Sequence, residues 1–105
     1  MFSFINNMFG TPAEDIKTML AKGAIIIDVR QPNEFQSGHI EGATNIPLSS
    51  IAANISKIKD LNKPVVAYCA SGNRSGMATR QLEAQGIEVI NGGGFGAMQR
   101  IIAEV

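Results

Sequence analysis

The sequence predicts an α/β protein whose parallel sheet is covered by helices on both faces. Two segments, Ala24–Val29 and Val65–Tyr68, are continuous apolar runs, and most of their residues are β-branched. Runs of this kind are typical of strands that are buried on both faces. Segments with apolar residues at helical spacing alternate with these runs along the chain. Such alternation indicates consecutive parallel strands joined by helices.

The composition is that of one globular domain. The chain has 105 residues, of which 45% are hydrophobic, and nine basic residues balance nine acidic ones. No overall charge therefore favours nucleic acid or an anionic membrane. We expect an N-terminal extension over residues 1–10 and a domain over residues 11–105.

The extension is apolar and contains no basic residue, unlike a secretory signal, and no segment of the chain approaches the roughly 20 apolar residues of a membrane span. A cytoplasmic protein without stable membrane association is the expectation. An alternative for residues 1–10 is an exposed amphipathic patch that contacts a partner or a membrane.

The first half of the chain opens with a clear helix signal. Thr11 fits the N-cap, Pro12 the first turn, and Glu14 completes a capping box, while Gly23 ends the helix. The elements predicted next are the strand Ala24–Val29, a helical turn that ends at Gly38, and a brief strand over Ala43–Ile46.

The second half continues the alternation. Ser49 or Ser50 is predicted to cap a helix with Ile51, Ile55 and Ile58 on one face. The elements predicted next are the strand Val65–Tyr68, a helix over Arg74–Gln85 with Met77 and Leu82 inward, a strand over Ile87–Ile90, a loop over Gly92–Gly94, and a helix over Ala97–Ala103.

Ligands of such sheets bind at the carboxyl ends of the strands, where Cys69 lies. It is the chain's one cysteine, which excludes an internal disulfide, a CxxC pair and a multi-cysteine zinc site. A helix N-terminus after it would offer N–H groups to a thiolate, Gly72 would permit a tight turn, and Arg74 would add a positive charge. These features favour a reactive thiol over the alternative, a buried structural cysteine.

The segment C-A-S-G-N-R-S, from Cys69 to Ser75, resembles the active-site loop of single-domain rhodaneses, C-x-x-G-x-R-S. Two further rhodanese motifs are matched, I-I-D-V-R over Ile26–Arg30 and G-H-I-E-G-A-T-N-I-P over Gly38–Pro47. The resemblance extends from Thr11 to the C-terminus. It implies a three-layer α/β/α fold with a five-stranded parallel sheet, so that residues 11–105 form a rhodanese domain.

The resemblance also implies a sulfurtransferase. Cys69 would be the catalytic nucleophile, which takes sulfane sulfur from thiosulfate or a persulfide and passes it to a thiol or cyanide. No cofactor or metal is implied, and a monomer is expected, with a small or protein thiol as acceptor. Asp28 and Arg30 would support the site, with Arg30 paired to Asp28 or Glu34. The residues of the substrate- and persulfide-binding loop would be Ala70, Ser71, Gly72, Asn73, Arg74 and Ser75.

Two departures from the family pattern bear on function. The tryptophan that often follows the Gly-Gly near the last helix is missing, and Phe95 is expected to fill only some of its volume. The loop also has no Lys or Arg before Arg74, which leaves a neutral or thiol-bound donor as open as thiosulfate.

The sequence leaves two alternatives to a sulfurtransferase. A sulfur carrier or interaction module of the rhodanese type would show little turnover. Phosphatase or arsenate reductase activity is disfavoured, because four residues separate Cys69 from Arg74 where the related cell-cycle phosphatases have five.

Other motifs are weaker evidence of a functional site. Asp28 as a phosphoacceptor would need an earlier acidic pair, and only Glu14-Asp15 precedes it, at a helix start. His39 is expected in a structural turn and not at the thiol. The segment Gly92–Ala97 fits the dinucleotide pattern G-x-G-x-x-A, but too little chain follows for the acidic ribose partner.

Overall fold

The structure is a computed structural model that describes residues 11–105, so the predicted extension over residues 1–10 lies outside the described residues. Strands and helices alternate along the chain, as the sequence predicts. A single turn of 3-10 helix, Leu48–Ser50, precedes the third helix. The elements are α1 Pro12–Ala21, β1 Ile25–Asp28, α2 Pro32–Ser37, β2 Thr44–Asn45, α3 Ile51–Asp60, β3 Val65–Cys69, α4 Asn73–Ala84, β4 Val89–Gly94 and α5 Phe95–Ile102.

The strands form a parallel sheet in the order β2-β1-β3-β4. Residues 11–105 contribute four strands to this sheet, where the family resemblance implies five. The sequence predicts a strand in each of these four regions, and apolar runs are the signal for β1 and β3. The central strand β3 is buried at every position, as its continuous apolar sequence indicates.

Helices cover both faces of the sheet, which confirms the three-layer α/β/α architecture. On one face, Ile51 and Ile58 of α3 and Leu82 of α4 pack against the strands. On the other face, residues of α1 and α5, among them Ile16 and Met98, form a second cluster. Burying each such side chain contributes roughly 1.5–3 kcal/mol. No helix within residues 11–105 is long and apolar enough to cross a membrane.

The predicted start of α1 is confirmed. Thr11 Oγ1 accepts a hydrogen bond from the Glu14 amide at 3.1 Å, and Glu14 Oε1 accepts one from the Thr11 amide at 3.2 Å. The predicted serine cap of α3 is wrong. Ser50 stands at the N-cap position, but its side chain makes no capping hydrogen bond because its backbone (φ −103°, ψ −2°) already continues the 3-10 turn.

Two further expectations need correction. Met77 is 48% exposed, because Ala78 and Leu82, four residues apart, define the inward face of α4 and Met77 lies beside that face. Gly92–Gly94 is the end of β4 and not a loop, since β3 continues to Cys69, which aligns with Gly94. The longer β4 therefore places its glycines directly beside the strand that ends at the cysteine.

Candidate functional site

Cys69 is the last residue of β3 and is a free cysteine with an exposed fraction of 0%. Two backbone amides converge on its sulfur: the Gly72 N–H donates to Sγ at 3.0 Å and the Ser75 N–H at 3.4 Å. Both amides belong to the start of α4, where backbone N–H groups lack partners within the helix. The sulfur thus occupies the place that a capping side chain usually takes.

Gly72 makes this turn possible. It is the N-cap residue of α4 in the left-handed conformation (φ 104°), and no side-chain capping hydrogen bond is present there. A residue with a Cβ would be strained at this φ. The loop also lies close against β4: a Cβ added to Gly94 would be only 2.5 Å from the Ala70 carbonyl oxygen. This close approach requires a residue without a Cβ at position 94.

A hydroxyl completes the surroundings of the sulfur. Ser75, buried with 0% exposure, places Oγ 3.3 Å from Cys69 Sγ and donates to Asn91 Oδ1 at 2.7 Å. Asn91 also accepts from the Gly93 amide at 2.9 Å and donates to the Gly72 carbonyl at 3.1 Å. Since an amide N–H only donates and a carbonyl only accepts, these two bonds define the orientation of the Asn91 side chain.

Asn91 is a site residue that the sequence analysis missed. Ala67 aligns with Asn91 and Tyr68 with Gly93, so Gly92 is an extra residue in β4 and forms a β-bulge. Bulges re-aim side chains and occur often beside functional sites. The only signal in the sequence is the Asn-Gly-Gly-Gly stretch, and its pairing with β3 had to be known before the bulge could be located.

The pKa of the Cys69 thiol is lowered below its ordinary value. Burial acts in the opposite direction and is the largest single effect. It is outweighed by hydrogen bonds from the Ser75 hydroxyl and from the backbone amides of Ser75, Gly72 and Ser71, all of which stabilise the thiolate. The site therefore favours an anionic sulfur through neutral donors.

Arg74 does not offer a free positive charge to this sulfur, contrary to the expectation from the sequence. Its guanidinium forms a bidentate ion pair with Glu34 of α2, with Nη1 2.8 Å from Oε1 and Nη2 3.1 Å from Oε2. The hydrogen bond from Arg74 is the chief reason that the pKa of Glu34 is lowered to about 2.

Arg30 pairs with Asp28, one of the two partners that the sequence allowed. The Arg30 Nη2 atom is 2.8 Å from Asp28 Oδ2 and 2.6 Å from the Gly38 carbonyl oxygen. Asp28 also accepts from the Arg30 amide at 2.9 Å. The Arg30 guanidinium stacks over the Phe95 ring at 4.7 Å. This buried pair joins the end of β1 to the end of α2 and to the start of α5.

The remaining predicted loop residues lie at the surface. Ala70, Ser71 and Asn73 are exposed, at the rim of the turn around the sulfur. His39 is also exposed: its Nδ1 is 2.8 Å from the Phe35 carbonyl oxygen and its ring stacks on Phe35 at 3.6 Å. Its contacts are those of a structural turn, as the sequence analysis expects.

The chain belongs to the rhodanese family: a model of the Rhodanese-like domain matches residues 12–99. It is 49% identical over 74 residues to the uncharacterized protein YqhL of Bacillus subtilis, a match that covers 69% of this chain but only 58% of that protein. It is 38% identical over 86 residues to thiosulfate sulfurtransferase GlpE of Pseudomonas savastanoi, covering 80% of each chain.

Solved structures agree on the fold. A rhodanese from E. coli, solved with anions, superposes with a TM-score of 0.65 and 38% sequence identity. The match covers 70% of this chain and 89% of that one. The arrangement of strands and helices described above is therefore that of the rhodanese fold.

Proposed function

We propose that this protein is a sulfurtransferase that carries sulfur as a persulfide on Cys69. The observation that carries the proposal is the convergence of the Gly72 and Ser75 amides on the sulfur of a free cysteine, 3.0 and 3.4 Å from Sγ. The names of relatives such as the Pseudomonas thiosulfate sulfurtransferase support sulfur transfer at the level of the family.

The reaction has two displacement steps. The Cys69 thiolate attacks the sulfane sulfur of the donor, the donor's S–S or S–SO₃ bond breaks, and the leaving group departs with the electron pair. The acceptor, a thiolate or cyanide, then attacks the outer sulfur of the persulfide and restores the Cys69 thiolate. The persulfide is an anion, and the amides of the loop from Ala70 to Arg74 would stabilise its outer sulfur without proton transfer. Neither step requires a metal or an organic cofactor.

Access to the sulfur needs a local movement. Cys69 and Ser75 both have an exposed fraction of 0%. A donor therefore reaches Sγ only after a covering group shifts or the cysteine side chain rotates. The neighbouring rim residues Ala70, Ser71 and Asn73 are exposed, and we propose that the donor enters there.

The test is intact-protein mass spectrometry after exposure to a panel of sulfane donors. We expect a gain of about 32 Da, one sulfur atom, that cyanide or excess thiol removes. The matched control is Cys69→Ser, which retains a side chain of similar shape and should gain no sulfur. The proposal is overturned if no donor in the panel loads the folded protein, or if Cys69→Ser turns over as fast as the unchanged protein.

A second candidate is a carrier or interaction module of the same family with little turnover, and the complete burial of Cys69 favours it. Slow transfer to small thiols together with efficient transfer to a protein thiol would identify this case. Under either candidate we propose a cytoplasmic monomer, with residues 11–105 as the functional domain and Asp28 and Arg30 as its support.

A further inference from the structure

Both arginines of the site motifs are paired with carboxylates. Arg30 is held by Asp28 at 2.8 Å, and Arg74 by Glu34 at 2.8 and 3.1 Å. Residues Cys69 to Asn73 contain no Lys or Arg. The loop therefore presents partial positive charges from N–H groups, but neither arginine brings an uncompensated full charge to it.

The Glu34 carboxylate is held firmly at this position. Its Oε1 atom accepts a hydrogen bond from the Gln31 amide at 2.9 Å as well as one from Arg74. The first of these bonds belongs to the start of α2, where Pro32 fixes the backbone. An incoming anion can take the place of Glu34 on Arg74 only by breaking a bidentate pair whose acid is anchored by its own helix.

The pair is also accessible to a donor. The side chains of Arg74 and Glu34 are 35% and 32% exposed, and Arg74 lies one residue before Ser75, whose amide contacts the sulfur. A donor that enters over the loop would thus meet the thiolate and the Glu34 carboxylate together. The repulsion grows in proportion to the donor's negative charge.

We propose that Glu34, by compensating Arg74, makes the site selective against dianionic sulfur donors and in favour of donors with one negative charge or none. This inference rests on the proposed function, since it concerns the first step of sulfur transfer to Cys69. It assigns Glu34 a role in donor specificity and ranks thiosulfate, a dianion, below thiosulfonates and low-charge persulfides.

The test compares two donors that differ mainly in charge. Thiosulfate carries two negative charges, and methanethiosulfonate replaces one of its oxygens by a methyl group and carries one. Both deliver their outer sulfur to a thiolate, with sulfite or methanesulfinate as the leaving group. The second-order rate of persulfide formation on Cys69 is measured for each donor by rapid quench and intact mass, in the unchanged protein and in Glu34→Gln.

Glu34→Gln removes the charge and keeps an oxygen that can accept from the Gln31 amide. A unit charge several ångströms from the donor, in a mostly aqueous surrounding, changes the rate by roughly fourfold per donor charge. We expect loading by methanethiosulfonate to rise about fourfold and loading by thiosulfate about 15-fold. The thiosulfate-to-thiosulfonate ratio should therefore rise about fourfold.

Glu41→Gln is the matched control, because Glu41 is exposed and follows α2 in the chain. It makes the same change in net charge and should leave the ratio unaltered. An equal shift in Glu34→Gln and Glu41→Gln, or an unaltered ratio in a Glu34→Gln protein that still loads sulfur, would overturn the specificity role and leave the sulfurtransferase proposal standing. Absence of loading by every donor in the unchanged protein would instead refute the proposed function.

A second measurement needs no variant and covers the case in which Glu34→Gln does not fold. Salt screens the repulsion between a dianion and an anionic site, so thiosulfate loading of the unchanged protein should rise with ionic strength. The rise should be steeper than for methanethiosulfonate. A steep fall for thiosulfate would reveal an uncompensated cation at the site and contradict the inference.

Discussion

The Ser75 hydroxyl donates to Asn91 Oδ1 at 2.7 Å while its oxygen lies 3.3 Å from the Cys69 sulfur. A hydroxyl has one proton, so it can donate either to Asn91 or to the thiolate. With the proton directed at Asn91, the Ser75 oxygen accepts from a Cys69 S–H group. Formation of the thiolate would turn this proton toward the sulfur, and the reactivity of Cys69 is thereby coupled to a residue on β4.

Ser75→Ala should make the thiol less reactive. Removing the hydroxyl deletes the hydrogen bond that contributes most to lowering the pKa of Cys69, so this pKa should rise. At pH 7 we expect alkylation of Cys69 by iodoacetamide to slow about five- to tenfold. The exposed Ser56→Ala on α3 serves as control and should react at the unchanged rate. Equal rates in both variants would exclude a role for the hydroxyl.

Asn91→Asp should slow the same reaction by a different route. The carboxylate still accepts from Ser75 and Gly93, but it adds a negative charge near the sulfur and faces the Gly72 carbonyl that the amide now binds. We expect the pKa of Cys69 to rise and alkylation at pH 7 to slow roughly tenfold. Asn62→Asp makes the same substitution at an exposed residue before the start of β3, whereas Cys69 is at the end of that strand, and it should have no effect. If Asn91→Asp reacts at the unchanged rate and with the same pH profile, Asn91 has no influence on the pKa of Cys69.

The lowered pKa of Cys69 predicts a pH-dependent contribution to stability. Because the folded-state pKa lies below that of the unfolded chain, the contribution is absent below the folded pKa and complete above the ordinary thiol pKa of about 8.5. The free energy of unfolding of the unchanged protein, minus that of Cys69→Ser, should therefore rise with pH and then level off. Urea unfolding under reducing conditions, at steps of pH, measures this difference. A difference that falls as the pH rises would reverse the predicted sign.

Asp28→Asn should destabilise the fold strongly. It leaves the Arg30 guanidinium, whose side chain is 7% exposed, without its charged partner. Breaking one half of a buried pair costs about 3–5 kcal/mol, which urea unfolding would show as a lower midpoint. The exposed Asp60→Asn at the end of α3 should stay within about 0.5 kcal/mol of the unchanged protein. An equally small effect of Asp28→Asn would show that the pair is not structural.

Gly94→Ala and Gly96→Ala form a matched pair of substitutions. The backbone of Gly94 (φ −89°, ψ 166°) suits any residue, but its Cβ would lie 2.5 Å from the Ala70 carbonyl oxygen. We expect a loss of about 1–3 kcal/mol in the free energy of unfolding and slower persulfide formation, since the loop must shift. A Cβ on Gly96 meets only Arg100, at 3.8 Å, so Gly96→Ala in α5 should be neutral or slightly stabilising. Equal stability of the two variants would refute the close approach.

Much of the fold follows from local patterns in the sequence. The apolar runs predict β1 and β3, because strands that are buried on both faces consist mostly of apolar residues. The capping box at Thr11 predicts the start of α1 because all of its partners lie within three residues. Cys69 is likewise found from its setting, a strand end followed by a glycine turn. The prediction that Met77 faces inward is wrong, because the sequence alone does not show which of two neighbouring helix positions packs against the sheet.

The sequence by itself determined the class of fold, the position of the candidate cysteine and the turn at Gly72, because these depend on residues that are near one another in the chain. Only the tertiary structure decided which charges and hydroxyls surround the sulfur. Arg74 pairs with Glu34, which is 40 residues away in the chain. Ser75 bonds to Asn91, which is 16 residues away and is positioned by a bulge in β4. Such pairs depend on how strands align and helices pack, so no local pattern reports them.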